Sequence, residues 1–288
     1  MNTYQIVTDS ACDIKPQILE QWGVKLIELS FRFDGEGKEY FNSEMDITAF
    51  YNKMREGATA KTSAINPEGF TNTFEALLQE GKDVLYIGFS SGLSTTYHSA
   101  TIAAQELQEK YPQRKILTVD TLAASAGQGM LVYFAVQKQR EGGTAQEAAD
   151  FVKEQLPKLC HWFTVDDLVY LKRGGRVSPT VAFVGAVLGI KPILHVDDAG
   201  KLIRVSKVRG RKASLATLAA KYEELAESVG EGTVYISHGD CLSDAQALAQ
   251  MLQDKHGVSV EIITDVGTVI GAHSGPGTLA LFFVGKQR

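Results

Sequence analysis

The sequence predicts an α/β protein of two domains: an N-terminal parallel sheet with flanking helices, and a C-terminal α/β domain containing a hairpin, with a cleft between them. Three observations predict it. Through the first half, apolar strand-like runs alternate with helical periods, the grammar of βαβ units. Around 143–160 that grammar breaks, as Gly142-Gly143 stops one helix and a polar segment, TAQEAADFVKEQL, runs to Pro157. Beyond the break, ILHVD and KLIRVSKV flank Asp198-Ala199-Gly200, a β-hairpin that a purely parallel domain would not contain. The expected domains are therefore 1–158 and 159–288.

In chain order, the first strands are expected at 4–8 (YQIVT), 24–31 (VKLIELSF), 84–89 (VLYIGF) and 115–120 (KILTVD). Helical periods fall near 47–56, 67–80, 94–111 and 128–140. In the second half the hairpin strands at 193–197 and 201–208 are followed by a helix at 211–228 and a strand at 233–238. A helix at 243–255 and strands at 259–264 and 278–285 complete the pattern. The apolar run VAFVGAVLGI (181–190) lies between Pro179 and Pro192 and is too short to span a bilayer. It reads either as plain buried core or as the lining of an apolar tunnel.

Composition narrows the function. With 44% apolar and 22% charged residues, the chain of 288 residues can bury a real core. A net charge of −5 argues against a broad nucleic-acid footprint, so no nucleic-acid partner is expected. Cys12, Cys160 and Cys241 are widely spaced, and no pair of histidines has metal-ligand spacing. Neither disulfide nor metal is expected. The N-terminus shows no basic region leading into an apolar one, and a cytoplasmic location follows as the expectation.

Chemistry concentrates at strand ends. After the strand at 84–89 the chain reads SSGLSTTY, a turn of hydroxyls at a helix start, where unpaired N–H groups favour an anion. It lacks the lysine of a P-loop and the spacing of a dinucleotide fingerprint, so a small anionic head group fits better. TDSACD and DTLAASAGQG end two other strands, and the carboxyl ends of a parallel sheet should bring Asp9, Ser10, Ser94 and Asp120 together. Thr62-Ser63 precedes a helix that Asn66-Pro67 would start, and reads either as a local turn or cap or as further hydroxyls for the site. Ser94 is likewise an expected N-cap. In IGAHSGPG, three glycines and a proline place His273 on a loop open to close backbone approach by a ligand. Lys172, Arg173 and Arg176, around Gly174-Gly175, read either as a basic helix end or as a docking patch for an acidic partner.

A hydrolase competes with this reading. Gly88-Phe89-Ser90-Ser91-Gly92 satisfies the G-x-S-x-G pattern, which would make an esterase or acyl-transfer enzyme of Ser90 or Ser94 with His273. No acid near His273 in sequence orients it for that role.

Taken together, VTDSACD (7–13), KTS (61–63), SSGLSTTY (90–97), DLVYLKRGGRVS (167–178) and GAHSGPG (271–277) resemble the DegV family of bacterial fatty-acid-binding proteins over nearly the whole chain. The resemblance implies two α/β domains with a long-chain fatty acid between them. Its carboxylate would be held by Thr62, Ser63, Ser94 and Thr95 with His273 nearby. It also implies a carrier with no catalytic residues and no cofactor, which presents its ligand to the catalytic subunit of a fatty-acid kinase for acyl-phosphate formation. Transient membrane contact would serve ligand exchange. Thr95 stands where the family commonly has Gly, and Pro67 falls one residue later than in the family's T-S-x-P run. Neutral hydroxyls, rather than an arginine clamp, are the expected hold on the head group.

Overall fold

The computed structural model describes residues 3–177 and 189–288. The run at 181–190, read as core or as tunnel lining, falls outside the described residues except for its last two.

The chain begins with β1 (Tyr4–Asp9), α1 (Pro16–Gln21) and β2 (Lys25–Ile27), followed by β3 (Ser30–Phe33), β4 (Tyr40–Phe41), α2 (Ile47–Arg55) and β5 (Ala60–Ser63). Next come α3 (Pro67–Gln79), β6 (Asp83–Gly88), α4 (Thr96–Lys110), β7 (Ile116–Asp120), α5 (Ala126–Arg140) and α6 (Ala145–Gln155). The C-terminal half contributes β8 (Leu159–Thr164), α7 (Val169–Arg173), β9 (Ile190–Val196), β10 (Leu202–Arg209) and α8 (Arg211–Leu225). It closes with β11 (Val234–His238), α9 (Leu242–His256), β12 (Ile262–Asp265), α10 (Thr268–Ser274) and β13 (Leu279–Val284).

Strands β2-β1-β6-β7 form the parallel sheet that the alternating pattern predicts. Alternation along its strands feeds two cores. Val7, Val84 and Tyr86 pack under α3 and α4, while Ile6, Leu85, Ile87 and Val119 face α5 and α6. The second sheet, β10-β9-β8-β13-β11-β12, is mixed, with β9 and β10 as the hairpin and only β11 and β12 parallel. Its outer face is covered by α8 and α9. Helix α5 lies between the two sheets, and ten of its fifteen residues are buried. A helix enclosed on both sides has little amphipathic pattern to show.

Four expectations change. The run at 24–31 is two strands in different sheets, because the Leu29 N–H leaves the ladder to donate to Ser10 Oγ at 2.9 Å. Thr62 and Ser63 lie on β5, in an antiparallel sheet β4-β3-β5 whose short polar strands carry no apolar signal. Strand β8 occupies LCHWFT, starting at the end of the expected break, where no strand was expected. His273 sits in the last turn of α10 rather than on a loop. The surrounding glycines admit protein: a Cβ at Gly271 would meet the Tyr51 hydroxyl at 2.5 Å, and one at Gly275 the Tyr170 ring at 2.3 Å. Among the described residues, no helix is long and apolar enough to cross a membrane.

Candidate functional site: a cavity between the sheets

Three carboxyl and hydroxyl groups at strand ends hold the turns in place. Phe89 N–H donates to Asp9 Oδ2 at 2.9 Å, and Ser91 N–H to Asp120 Oδ1 at 3.2 Å, so the ends of β1 and β7 grip the turn after β6. Asp9 also accepts from the Tyr86 hydroxyl at 2.6 Å, and burial pushes its pKa upward. Asp9 and Asp120 thus brace the turn after β6, while Ser10 Oγ, accepting from Leu29 N–H, braces the link between β2 and β3. Ser94 Oγ accepts from Thr96 N–H at 3.2 Å and shares a 2.9 Å hydrogen bond with Thr96 Oγ1. The N-cap of α4 is Thr95, which makes no side-chain cap bond, so Ser94 stands one residue before the place expected of it and braces the helix start through Thr96.

Above these turns a cavity of about 500 Å³ opens between the sheets. Its apolar walls include Leu29, Phe89, Phe163, Leu171, Val196, Leu202, Val269, Ile270 and Phe282. Its polar lining includes Thr62, Ser63, Ser91, Ser94, Thr95, Arg176 and His273. Thr62, Ser63, Ser94, Thr95 and His273, the five expected head-group residues, therefore face one space. Contacts knit their segments together: Thr62 Oγ1 lies 2.8 Å from His273 Nε2, and Arg176 Nε–H donates to Leu93 O at 3.2 Å. Arg176 also donates to Gly174 O.

Gly174 explains why the KRGGR run belongs here. A Cβ on it would stand 2.1 Å from His273 Nδ1, so only glycine lets the end of α7 lie against the ring. The basic cluster is consequently split. Lys172 and Arg173 are exposed on α7, whereas Arg176 is half-buried and lines the cavity. A guanidinium is therefore present in a cavity lining where only neutral hydroxyls and an imidazole were expected. Nothing in the pattern of the sequence separated Arg176 from its two neighbours. Ser91, in the hydroxyl-rich turn, also lines the cavity; so do Ser125, Ser237 and Ser274, which sequence reasoning did not name, although Ser125 and Ser274 stand in the distinctive segments DTLAASAGQG and IGAHSGPG.

Electrostatically the site is a cation beside a neutral imidazole. Burial, and then the charge of Arg176, push the His273 pKa down to about 4. Its Nδ1 is buried with no hydrogen-bond partner among the described residues. A ring protonated on Nε2 donates to Thr62, leaving Nδ1 as a bare lone pair and the Thr62 proton free for an acceptor in the cavity. Burial also lowers the pKa of Arg176, which makes no ion pair among the described residues.

The hydrolase geometry is absent at Ser90. Ser90 is fully buried, and its Oγ donates to Gly200 O at 2.8 Å while accepting from Gly92 N–H at 3.1 Å. It clasps the tip of the β9–β10 hairpin. No acid orients His273, whose one side-chain hydrogen bond among the described residues goes to Thr62. Among the described residues, no group of three or more His, Cys, Asp or Glu side chains is arranged to hold a metal ion.

The DegV family model matches residues 3–286. This chain belongs to the DegV family. A DegV domain-containing protein of Clostridium perfringens is 44% identical over 289 residues, covering 100% of this chain and 99% of its own length. Among solved structures, a DegV family protein of Thermus thermophilus described for its fatty acid binding superposes with a TM-score of 0.88 at 30% identity, covering 98% of this chain and 99% of its own. A DegV lipid-binding protein of Thermotoga maritima also gives a TM-score of 0.88 at 30% identity, with 99% of each chain covered. The α/β architecture of this DegV chain is thus that of proteins known to bind fatty acids and lipid.

Proposed function

We propose that this DegV protein is a non-catalytic carrier of a long-chain fatty acid. The observation that carries the reading is one cavity of about 500 Å³ whose lining combines apolar side chains with Thr62, Ser63, Ser94, Thr95, Arg176 and His273. The volume lies within the range of small-molecule sites. The fatty acid and lipid binding of its Thermus and Thermotoga relatives supports the same ligand class.

Energetics divide the work between tail and head. Removing a methylene from water contributes about 0.8 kcal/mol, so about 14 methylenes supply roughly 11 kcal/mol before the cost of association. Each hydrogen bond to an ionised carboxylate adds about 1.5–3 kcal/mol. The tail provides affinity and the polar group provides position. Thr62, Ser63, Ser94 and Thr95 offer hydroxyl donors, His273 orients Thr62, and Arg176 supplies the counter-charge. On this reading residues 1–158 contribute the hydroxyls, and 159–288 closes over the chain while bringing Arg176 and His273.

The carrier then presents the carboxylate to the catalytic subunit of a fatty-acid kinase, with exposed Lys172 and Arg173 beside the site as docking charges. Ligand exchange takes place by transient contact with a membrane, and the protein works in the cytoplasm. Organic extraction of the purified protein followed by mass spectrometry tests the core of this reading. An acyl chain near stoichiometry, or uptake of added fatty acid after delipidation, is expected; neither would sink the proposal. Addition of a fatty-acid kinase subunit and ATP tests the second step, with acyl phosphate as the product.

A further inference from the structure

The cavity has polar groups that a plain acyl chain leaves unused. Ser125, Ser237 and Ser274 line it on the side of the six-stranded sheet, where Ser237 is paired in register with Ala280 and Ala280 with Phe163. Ser274 is 4% exposed and its Oγ has no hydrogen-bond partner among the described residues. Gly239 N–H donates to Thr278 O at 2.7 Å, and Thr278 Oγ1 to Gly275 O at 2.8 Å. These bonds tie the segment carrying Ser274 to the end of β11 that carries Ser237.

Ser125 Oγ lies 2.5 Å from Asp13 Oδ2 and 2.9 Å from Ser237 Oγ. One hydroxyl has one proton, so the chain has a direction. With Asp13 ionised, Ser125 donates to it and accepts from Ser237. With Asp13 neutral, the order reverses and Ser237 keeps its proton. In either state Ser237 retains hydrogen-bonding capacity that no described residue fills, and it lines the same cavity as the unfilled hydroxyl of Ser274. An uncharged group that both donates and accepts satisfies both. A carboxylate does not suit this place, because the Asp13 carboxyl stands directly behind Ser125, whereas Arg176 belongs to the other polar group of the lining.

We propose that the cavity holds an acyl chain bearing a hydroxyl group, with that oxygen bound against Ser237 and Ser274. The inference rests on the fatty-acid reading and deepens it. Buried polar groups are nearly always paired, and an apolar tail drawn across these hydroxyls would leave them unpaired or force a water to stay.

The test is calorimetric titration of delipidated protein with octadecanoic acid and with a series of monohydroxyoctadecanoic acids differing in hydroxyl position. At one position the hydroxy acid should bind at least as tightly as octadecanoic acid, while the remaining isomers bind roughly tenfold or more weakly, as a buried unpaired hydroxyl requires. Ser237→Ala and Ser274→Ala should each remove the advantage of that isomer over the others. If octadecanoic acid binds and every hydroxy isomer is weaker, the chain crosses these serines as hydrocarbon and the inference is overturned. It is equally overturned if Ser274→Ala weakens octadecanoic acid and all isomers alike, since Ser274 would then be touching the carboxylate. If no member of the series binds, it is the fatty-acid reading itself that fails. Should a serine variant not fold, the isomer series on the unaltered protein still decides.

Discussion

Acidification should destabilise the ligand-free protein through His273. The ring is buried beside Arg176 and loses its proton readily, with a pKa pushed from 6.5 down to about 4. In the unfolded chain the same imidazole takes up a proton near its ordinary value. Between those two pKa values the unfolded state binds more protons than the folded one, so stability falls as pH falls through this window. The full shift corresponds to about 3 kcal/mol, and between pH 7 and pH 4.5 about 2–3 kcal/mol of it should be realised. Asp13 works in the opposite direction, since burial raises its pKa to about 8. Its effect is present in any His273 variant and cancels in a comparison. The assay is urea denaturation of delipidated protein and of His273→Gln at a series of pH values, with equal m-values as the condition for subtraction. The stability of the original protein minus that of the variant should drop by about 2–3 kcal/mol on going from pH 7 to pH 4.5. A difference that stays flat across this range would refute the buried, neutral assignment of His273.

Four further outcomes are expected. Ser90→Ala leaves Gly200 O buried without its donor and should cost about 1–3 kcal/mol in urea midpoint analysis while acyl ligand is retained; loss of an esterase turnover instead would revive the hydrolase reading. Gly174→Ala drives a methyl into His273 Nδ1 and should weaken fatty-acid binding about tenfold, yet add little to His273→Ala in the double variant; additive losses would mean that Gly174 does not act through the ring. Arg176→Met should cut the preference for a fatty acid over the corresponding fatty alcohol by about tenfold or more, and an unchanged ratio in competition binding would remove Arg176 from the head-group site. Charge reversal at Lys172 and Arg173 should abolish acyl-phosphate formation with a kinase subunit while mass spectrometry still finds bound lipid; intact coupling would leave the pair as a helix end only.

The sequence carried most of the architecture because most elements announce themselves locally. Runs such as YQIVT and VLYIGF are buried on both faces of a parallel sheet, and so read as continuous apolar strands. Asp198-Ala199-Gly200 marked the hairpin because a tight turn needs those residue types. Where the signal was weak, the reading missed. β5 is a four-residue polar strand, and VKLIELSF hides a break made by the hydrogen bond that Leu29 N–H donates to Ser10, a residue 19 positions earlier.

By itself the sequence determined the membership of this chain in its family and the chemical character of its site, since the order and composition of five short segments are properties of the chain. It named the hydroxyls of Thr62, Ser63, Ser94 and Thr95, and it named His273. Tertiary structure alone decided which polar groups face the same space. Thr62 and His273 touch across 211 positions of sequence, Arg176 turns into the cavity while Lys172 and Arg173 turn to solvent, and Ser90 is spent on the hairpin. The physical reason is that local pattern records a residue's own turn or strand. What a side chain meets depends on how distant elements pack, and here two sheets closing on one buried helix set those meetings.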